Sequence, residues 1–573
     1  MKRVITALLL ISIALESGAQ NQKIDPTVEV NREYQGKMME ITKSKLTTRA
    51  ADSIGMFNLD FNYSIFEKPY KDMYEFSAVP SASIPKEPHE HIPSFVAKAG
   101  IGYPFAPEAA LWYTPKLQGN NWIKLHSWGN WFNGDVPTVA ISDGTAVKSG
   151  NKSGNKEYSY GASGQYTHAW KGAELSIYGK FNGGYNTYYS GIADAQGNPG
   201  HHNFNVAEGG IDAKSSGAGN NGKRMNWHLS GVVRHTADKG PAKFNENYAA
   251  GAVELGPVLG RYNKFMVRVD AQAVQYSGNV SNHMGIFGIT PQYRYENGNL
   301  KVNLGIKLEG KFSGNKNKDE YHSWIFPAVD LSFRLAPGKL WVYGTVDGWN
   351  SLNTYSSLLE KNRFINPAYT PDGLQESSVP LHAEGGFKGR FTDKFTYRLY
   401  AAYTRHKGLM QFIYNCNGGW FGADAGSTHN EVGAGGEIDV STGDFRAGIG
   451  VKYSLFSKGT HGEEATGIPA LQGDIELGYN WNGKIFADLG CHLQGEYNFL
   501  YTGEGSPSQA GFYKGMRATA PAFADLNATV SYVHSDMLTF WLRGDNLLNS
   551  AIQYNPFHIG KGTGILAGII VKL

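Results

Sequence analysis

The chain has 573 residues, of which 41% are hydrophobic, 13% aromatic and 18% charged, with a formal net charge of +3. This near-neutral balance argues against a nucleic-acid-binding protein, because proteins that hold phosphate backbones carry clustered positive charge. Mean hydropathy is −0.37, and no uncharged apolar run after the first residues approaches the roughly 20 residues of a membrane-spanning helix. The 72 glycines and 33 tyrosines instead favour a β-rich protein.

Residues 1–19 have the features of a secretory signal peptide. Lys2 and Arg3 precede an apolar stretch over residues 4–15, and Ser17 and Ala19 supply the small side chains of a cleavage site. No cysteine follows the apolar stretch, so the pattern is not that of a lipoprotein signal. We expect an exported chain that begins near Gln20.

Residues 20–93 show no sustained periodicity and contain scattered prolines, which predicts an extended N-terminal arm in the periplasm or the lumen. His89, Glu90 and His91 alternate within this arm, and alternate histidines in an extended chain can share a metal ion. A proline-bounded stretch of this kind is more often a solvated linker. We therefore predict no metal site.

Residues 94–573 alternate apolar and polar side chains over segments of about ten residues. In residues 300–312, for example, leucine, valine and isoleucine alternate with lysine, asparagine and glutamate. A period of two predicts β-strands with one oily and one polar face. Such segments are centred near residues 98, 112, 126, 162, 180, 209, 230, 252, 270, 290, 306, 328, 344, 385, 400, 436, 451, 476, 492, 529, 542 and 568.

The connections between these segments are alternately short and long. Asn-Gly and Gly-Asp pairs mark the short turns, since they accept the positive φ angles of hairpins. The long connections are predicted at residues 133–156, 190–203, 349–378, 407–430, 457–470, 501–521 and 549–562. This alternation is typical of outer-membrane barrels.

These features together predict an all-β fold, a transmembrane antiparallel β-barrel of about 22 strands over residues 94–573. Only helices and closed barrels satisfy every backbone group in lipid, so the oily faces contact lipid and the polar faces line the lumen. A secreted soluble β-protein is the alternative. A barrel of this size is too wide for its own side chains to fill.

The C-terminal region carries a resemblance to a known family. It resembles the last hairpin of the TonB-dependent receptors of Gram-negative bacteria, with the matching residues Asn546, Leu547, Leu548, Asn549, Tyr554, Pro556 and Gly560. Residues 362–391 are also similar to a mid-barrel loop and strand of that group. The resemblance covers about residues 94–573 and implies the outer membrane of a Gram-negative bacterium. The arm is shorter than the plug domain of these receptors, so the chain resembles a branch without a full plug.

Within the arm, Thr27, Val28, Glu29 and Val30 loosely resemble a TonB box, a short segment that pairs with a strand of the energising protein TonB. This mode of binding is strand addition. The alternative is an ordinary extended segment. The partners that the resemblance implies are outer-membrane lipid and either TonB or other envelope proteins, without nucleic acid.

The sequence lacks the motifs of familiar catalytic and cofactor-binding sites. The sequence has no nucleophile elbow, zinc-protease motif, phosphate loop or paired carboxylates. We therefore predict a protein that is not an enzyme and has no cofactor. His201 and His202 fall in a predicted outer loop, and Cys416 and Cys491 are interpreted as two unrelated thiols, which only the fold could bring together.

The predicted function is uptake of an unidentified solute by a barrel of the TonB-dependent receptor type. The alternative is a non-catalytic accessory or scaffold barrel in an outer-membrane assembly or export complex. For that alternative, residues 408–414 (GLMQFIY) are the candidate apolar patch on a long loop. An outer-membrane enzyme with loop-borne catalytic residues is a third class, for which no set of residues is visible.

Overall fold

A computed structural model describes residues 93–573, with gaps at residues 188–199, 216–224, 240–242, 258, 260–261, 279–280, 316–317, 367–373, 417–418, 460–461 and 503–514. The predicted signal peptide, the arm as far as residue 92, the segment Thr27, Val28, Glu29 and Val30, and the pair His89 and His91 lie outside the described residues. The absence of a full plug domain therefore stays a prediction.

The described residues form strands joined by turns and loops, together with helix α1 (Tyr355–Lys361). The strands are β1 (Phe95–Tyr103), β2 (Glu108–Tyr113), β3 (Asn121–Ser142), β4 (Thr145–Ala169), β5 (Ala173–Thr187), β6 (His201–Ser215), β7 (Met225–Asp238), β8 (Phe244–Pro257), β9 (Asn263–Gly278), β10 (Asn282–Glu296), β11 (Leu300–Asn315), β12 (Lys318–Ala336), β13 (Leu340–Leu352), β14 (Glu376–Thr392), β15 (Phe395–Asn415), β16 (Trp420–Ser441), β17 (Phe445–Phe456), β18 (Leu471–Trp481), β19 (Ile485–Gln494), β20 (Tyr497–Thr502), β21 (Met516–Ala520), β22 (Phe523–Ser535), β23 (Leu538–Asp545) and β24 (Gly564–Lys572). Within the part of the chain that is described, no helix has the length and apolar character to cross a bilayer.

Twenty-two of these strands close into one antiparallel barrel. β24 pairs with β1, with Val96 opposite Lys572, so the wall has no open edge there. β19 pairs directly with β22, which leaves β20 and β21 outside the wall. Each predicted strand centre falls within a barrel strand, and the predicted fold is confirmed.

β11 shows how the wall divides its side chains. Leu304, Ile306 and Leu308 are exposed by 47%, 54% and 44%, on the face away from the lumen. On the opposite face, the Nζ atom of Lys307 lies 3.7 Å from a carboxylate oxygen of the buried Glu309. Apolar side chains therefore form the outer surface, which suits lipid, while charged groups neutralise each other inside.

Two of the predicted long loops are in fact strands. Residues 133–156 continue β3 and β4 (22 and 25 residues), and residues 407–430 continue β15 and β16 (21 and 22 residues). These strands exceed the roughly 9–11 residues that cross a membrane, so both hairpins extend beyond it. Sequence patterning misses such extensions because strands outside the bilayer no longer alternate between a lipid-facing and a lumen-facing side chain. The predicted apolar loop patch at residues 408–414 is also wrong, because Leu409 and Tyr414 are buried within β15.

The ends of these hairpins are connected across the barrel mouth. β20 pairs in parallel with β15, with Leu500 opposite Ile413, and antiparallel with β21. β21 in turn contacts β4, where Thr519 lies opposite Thr145. β4 and β15 belong to opposite walls of the barrel. We call this bridge, made of β20, β21 and the ends of the β3–β4 and β15–β16 hairpins, the roof.

Candidate functional site

A segment of the β13–β14 connection enters the barrel beneath the roof. This segment, residues 353–366, contains α1 and is called the cap here. Thr354 is the N-cap residue of α1, and its hydroxyl accepts a hydrogen bond from the backbone N–H of Ser357 at 3.3 Å. Tyr355, Leu358 and Leu359 lie one turn apart or less and are all buried. The helix therefore presents one apolar face to the wall.

The wall opposite this helix face is apolar on its inner side. The cluster that receives Tyr355, Leu358 and Leu359 is formed by Phe244, Val274, Tyr276, Met284 and Ile286 of β8, β9 and β10. Burial of each large side chain contributes about 2 kcal/mol. The sequence predicted apolar side chains outside the barrel and polar side chains inside it. This prediction is wrong where the wall contacts the cap. The continuous apolar run at residues 284–289 is the pattern that could have revealed it, since strands buried on both faces lose their polar positions.

Glu246 of β8 anchors the N-terminus of α1. Its carboxylate accepts hydrogen bonds from the backbone N–H of Tyr355 and, at 2.8 Å, from the hydroxyl of Ser356. Arg234 of β7 lies 4.0 Å from the same carboxylate and donates to the Thr354 hydroxyl at 3.2 Å. A fully buried carboxylate thus satisfies N–H groups that a helix start leaves without partners.

A second polar contact holds Tyr355. Its hydroxyl donates to the carboxylate of Asp238, and His202 lies against the same carboxylate with 2.5 Å between Nε2 and Oδ2. The other ring nitrogen of His202, Nδ1, is 3.0 Å from the carbonyl oxygen of Arg363 in the cap. The expectation that His201 and His202 lie in an outer loop is therefore wrong, because both belong to β6. Cys416 and Cys491 are not paired with each other, as interpreted from the sequence.

The residues that carried the family resemblance shape the connection between β23 and β24, residues 546–563. Asn546 has a φ of +46°, and its side-chain amide donates to the carbonyl oxygens of Ser550 at 3.0 Å and Lys561 at 3.1 Å. Asparagine tolerates this left-handed conformation better than most residues. The turn directs Phe557 and His558 into the apolar cluster below the roof, together with Tyr414, Phe421, Tyr497 and Phe499.

His558 joins this connection to the cap. Its ring stacks on Phe364 with 3.8 Å between centroids, and the rings of Tyr414 and Phe421 lie at 5.6 and 5.4 Å. Nδ1 lies 3.1 Å from the carbonyl oxygen of Pro556. Burial among these rings lowers the pKa of His558 to about 4.

We expect the cap to be held less tightly as the pH falls from about 6.5 to 4. An undocked histidine binds a proton near its ordinary pKa of about 6.5, whereas docked His558 stays neutral until about pH 4. Acid therefore favours the undocked form, by up to about 3 kcal/mol. Hydrogen exchange of residues 354–366, corrected for the intrinsic effect of pH, should accelerate in this range. His558→Phe should remove the dependence, whereas His534→Gln, at the exposed end of β22, should retain it. Unchanged behaviour of His558→Phe would contradict the assignment.

A cavity of about 730 Å³ lies between the cap, the connection at residues 546–563 and the inner wall of β3–β7. This volume is in the range of small-molecule sites. Aromatic, amide and charged side chains line it, among them Trp128, Phe204, Phe364, Tyr554, Asn155, Asn182, Asn555, Lys180, Arg234, Lys361, Arg363, Lys561, Glu157, Glu208 and Glu360. Of these residues, only Tyr554 was recognisable from the sequence, as part of a family motif. The remaining residues come from distant strands, which no local pattern connects.

The charged groups of the cavity form ion pairs around its rim. Arg363 of the cap pairs with Glu157 of β4, and Glu208 of β6 lies 3.4 Å from Lys180 and 3.6 Å from Arg234. The described residues contain no cluster of histidine, cysteine and carboxylate side chains that could hold a metal ion. Such an arrangement can bind and orient a polar molecule.

Solved structures share this fold. The FrpB iron transporter of Neisseria meningitidis (F3-3 variant) matches with a TM-score of 0.62 and 10% identity over 84% of this chain and 81% of that one. The siderophore receptor PirA of Acinetobacter baumannii gives 0.60 and 11% over 84% and 80%. The ferripyoverdine receptor of the Pseudomonas aeruginosa outer membrane gives 0.60 and 12% over 84% and 72%.

No protein-family model matches the chain, and no curated protein matches it. The similar structures are TonB-dependent receptors, so the resemblance seen in the sequence is confirmed at the level of fold. The chain therefore shares the barrel fold of these structures. The compared proteins are transporters and receptors by description, and none is described as an enzyme.

Proposed function

We propose that this protein takes up a small polar solute across the outer membrane, by way of the cavity beneath the roof. The cavity carries the proposal, because it has the volume of a small-molecule site and a lining of aromatic, amide and charged groups. The solved structures of the same fold include an iron transporter and a siderophore receptor, which supports a transport role. TonB is the expected energising partner, through Thr27, Val28, Glu29 and Val30.

In this proposal the roof and the cap are the outer gate. The roof crosses from one wall to the other, and its contact with β4 is a single bridge at Thr145 and Thr519 with one backbone hydrogen bond of 2.8 Å, from Thr519 to Gly144. The contact with β15 is also short, three residue pairs. Such brief pairings cost little to break compared with the barrel strands, so a solute can displace the roof without opening the wall.

A disulfide across the roof tests the proposal. We expect Thr145→Cys together with Thr519→Cys, in a background of Cys416→Ser and Cys491→Ser, to form a cross-link, since neighbouring strands place Cα atoms at disulfide distance. Uptake is measured as depletion of small molecules from the medium by mass spectrometry, compared with cells that lack the protein. The oxidised variant should fall to the level of those cells, and a reductant should restore uptake.

The two single-cysteine variants are matched controls and should take up solutes normally under oxidising conditions. Uptake through the cross-linked protein would show that the roof is not the gate. If no depletion depends on the protein at all, the uptake proposal is wrong.

The closed mouth also favours a second candidate, a non-catalytic scaffold barrel within an outer-membrane assembly or export complex. In that case the roof has a structural role and the barrel need not conduct. Stable association with other envelope proteins after gentle detergent extraction, together with insensitivity of cell growth to the roof cross-link, would support this candidate over uptake.

A further inference from the structure

We propose that the cavity recognises an organic anion, a carboxylate or phosphate group carried on a body about the size of a sugar. This inference rests on the uptake proposal and specifies the solute class. It begins from the charges of the lining, which comprise five cationic side chains and three carboxylates. The cationic residues are Lys180, Arg234, Lys361, Arg363 and Lys561.

The carboxylates of the lining are largely occupied by the arginines and by Lys180. Glu157 pairs with Arg363, and Glu208 is shared between Lys180 and Arg234. Glu360 is exposed at the end of α1, directly before Lys361, and its charge favours the neighbouring ammonium group without forming an ion pair. One carboxylate therefore serves two cations, and the lining keeps a positive excess.

Two lysines contribute to this excess. Neither Lys361 nor Lys561 forms an ion pair with a described residue. Lys361 ends α1 and is exposed to the cavity, and the Nζ atom of Lys561 lies 4.8 Å from the centroid of the Phe132 ring. The cap and the connection at residues 546–563 thus each contribute one lysine to the lining of the same cavity.

The acidic groups on the wall near Lys561 are already engaged. Glu108 accepts from Arg543 at 2.8 Å and lies 2.8 Å from Lys98. Asp545 accepts from the Nε of Arg543 at 2.9 Å. These carboxylates are paired with two cations of their own, and they attract Lys561 only from a distance, without an ion pair. A partly enclosed site with unpaired ammonium groups attracts anions, because desolvated positive charge is costly without a counter-charge.

The uncharged part of the lining fits the body of such a ligand. Tyr554 and Trp128 offer aromatic surface, and the amides of Asn155, Asn182 and Asn555 offer donors and acceptors. Aromatic and amide groups together suit hydroxyl-bearing rings. Because Lys361 belongs to the cap and Lys561 to the connection that stacks on it, an anion between them links the cap to that connection.

Binding to the purified, detergent-solubilised full chain tests the inference by calorimetry. Two probes carry an anionic group: glucuronate has a carboxylate and glucose 6-phosphate has a phosphate. The third probe, glucose, has the same sugar body without a charge. We expect both anions to bind and glucose to bind at least about tenfold more weakly, since hydrogen bonds to charged groups are the stronger ones. Binding of only one anion identifies the source, carboxylate or phosphate, and supports the inference.

Lys361→Gln combined with Lys561→Gln should weaken anion binding by at least about tenfold and leave glucose unchanged. The control is Lys301→Gln combined with Lys307→Gln, which removes the same charge from the luminal face of β11, away from the cavity. Equal weakening of anion binding in the control would show that the lumen attracts anions in general, and it would overturn the proposed site. Binding of glucose as tightly as the anions, or no binding of either anion, would also overturn it. The roof cross-link tests uptake independently, so blocked uptake without anion binding rejects only this inference.

Discussion

Replacing residues 354–374 and 496–521 with short Gly-Ser linkers is expected to convert the closed barrel into an open, conducting pore. The flanking strands already meet, because Leu352 lies opposite Glu376 and Gln494 opposite Phe523. The linkers therefore leave the wall intact while they remove the cap and the hairpin of the roof. Barrel diameter grows with strand number, and barrels of about 16 strands already conduct. A 22-stranded wall should then conduct at least as well.

Conductance in planar bilayers and the influx of a large antibiotic into cells are the measurements. Variants that lack only one of the two segments are the controls, and each should leak less than the combined variant, since either element alone covers part of the mouth. Heat-modifiable migration on a gel verifies that the barrel has folded. A folded combined variant that does not conduct would show that another part of the chain closes the lumen, and would contradict the assignment of the outer gate.

Glu246→Ala is expected to release the cap from the wall while leaving the barrel folded. The substitution removes the acceptor of the Tyr355 N–H and of the Ser356 hydroxyl. It also leaves Arg234 with Glu208, 3.6 Å away, as its remaining carboxylate. Each buried group left without a partner costs about 1–3 kcal/mol. Two such groups offset a large part of the roughly 6 kcal/mol that the three buried side chains of α1 contribute, so α1 should detach more often.

Hydrogen exchange of residues 354–366 should accelerate by at least about a hundredfold in Glu246→Ala, which corresponds to about 3 kcal/mol. Glu246→Gln keeps one carbonyl acceptor and should show an intermediate effect. Glu254→Ala is the matched control on the same strand, because Glu254 also pairs with an arginine, Arg294 at 2.9 Å, but does not contact the cap. Unchanged protection of the cap in Glu246→Ala would mean that the apolar contacts alone hold it.

The roof and the cap, which form the outer gate, are held less firmly than the strands of the barrel wall. The wall strands pair along most of their length, whereas the roof is joined to β4 and β15 by short pairings. The cap is held by one apolar helix face and by buried carboxylates, Glu246 and Asp238. Regions with few pairings open at lower free energy than the body of a protein. The molecule can therefore open its mouth without loss of its barrel.

The strand count and the apolar outer surface were readable from the chain because they follow from a local rule. A strand with lipid on one side and water on the other must alternate, and β11 does so along residues 300–312. Turn residues such as Asn482 and Gly483, both with positive φ, likewise marked the short connections. Each of these features depends on neighbours within a few residues of the chain.

The cap, the roof and the cavity are formed by contacts between distant parts of the chain. Glu246 and Tyr355, or Glu157 and Arg363, are separated by more than 100 residues, and no periodicity connects them. Strand extensions outside the bilayer were mistaken for loops, because the alternation of side chains reports the lipid boundary and not backbone pairing. The sequence by itself therefore determined a lipid-facing barrel of about 22 strands and its resemblance to the TonB-dependent receptors. Only the tertiary structure decided what closes the barrel and which charges meet inside, because loop closure brings together groups that the local chain does not relate.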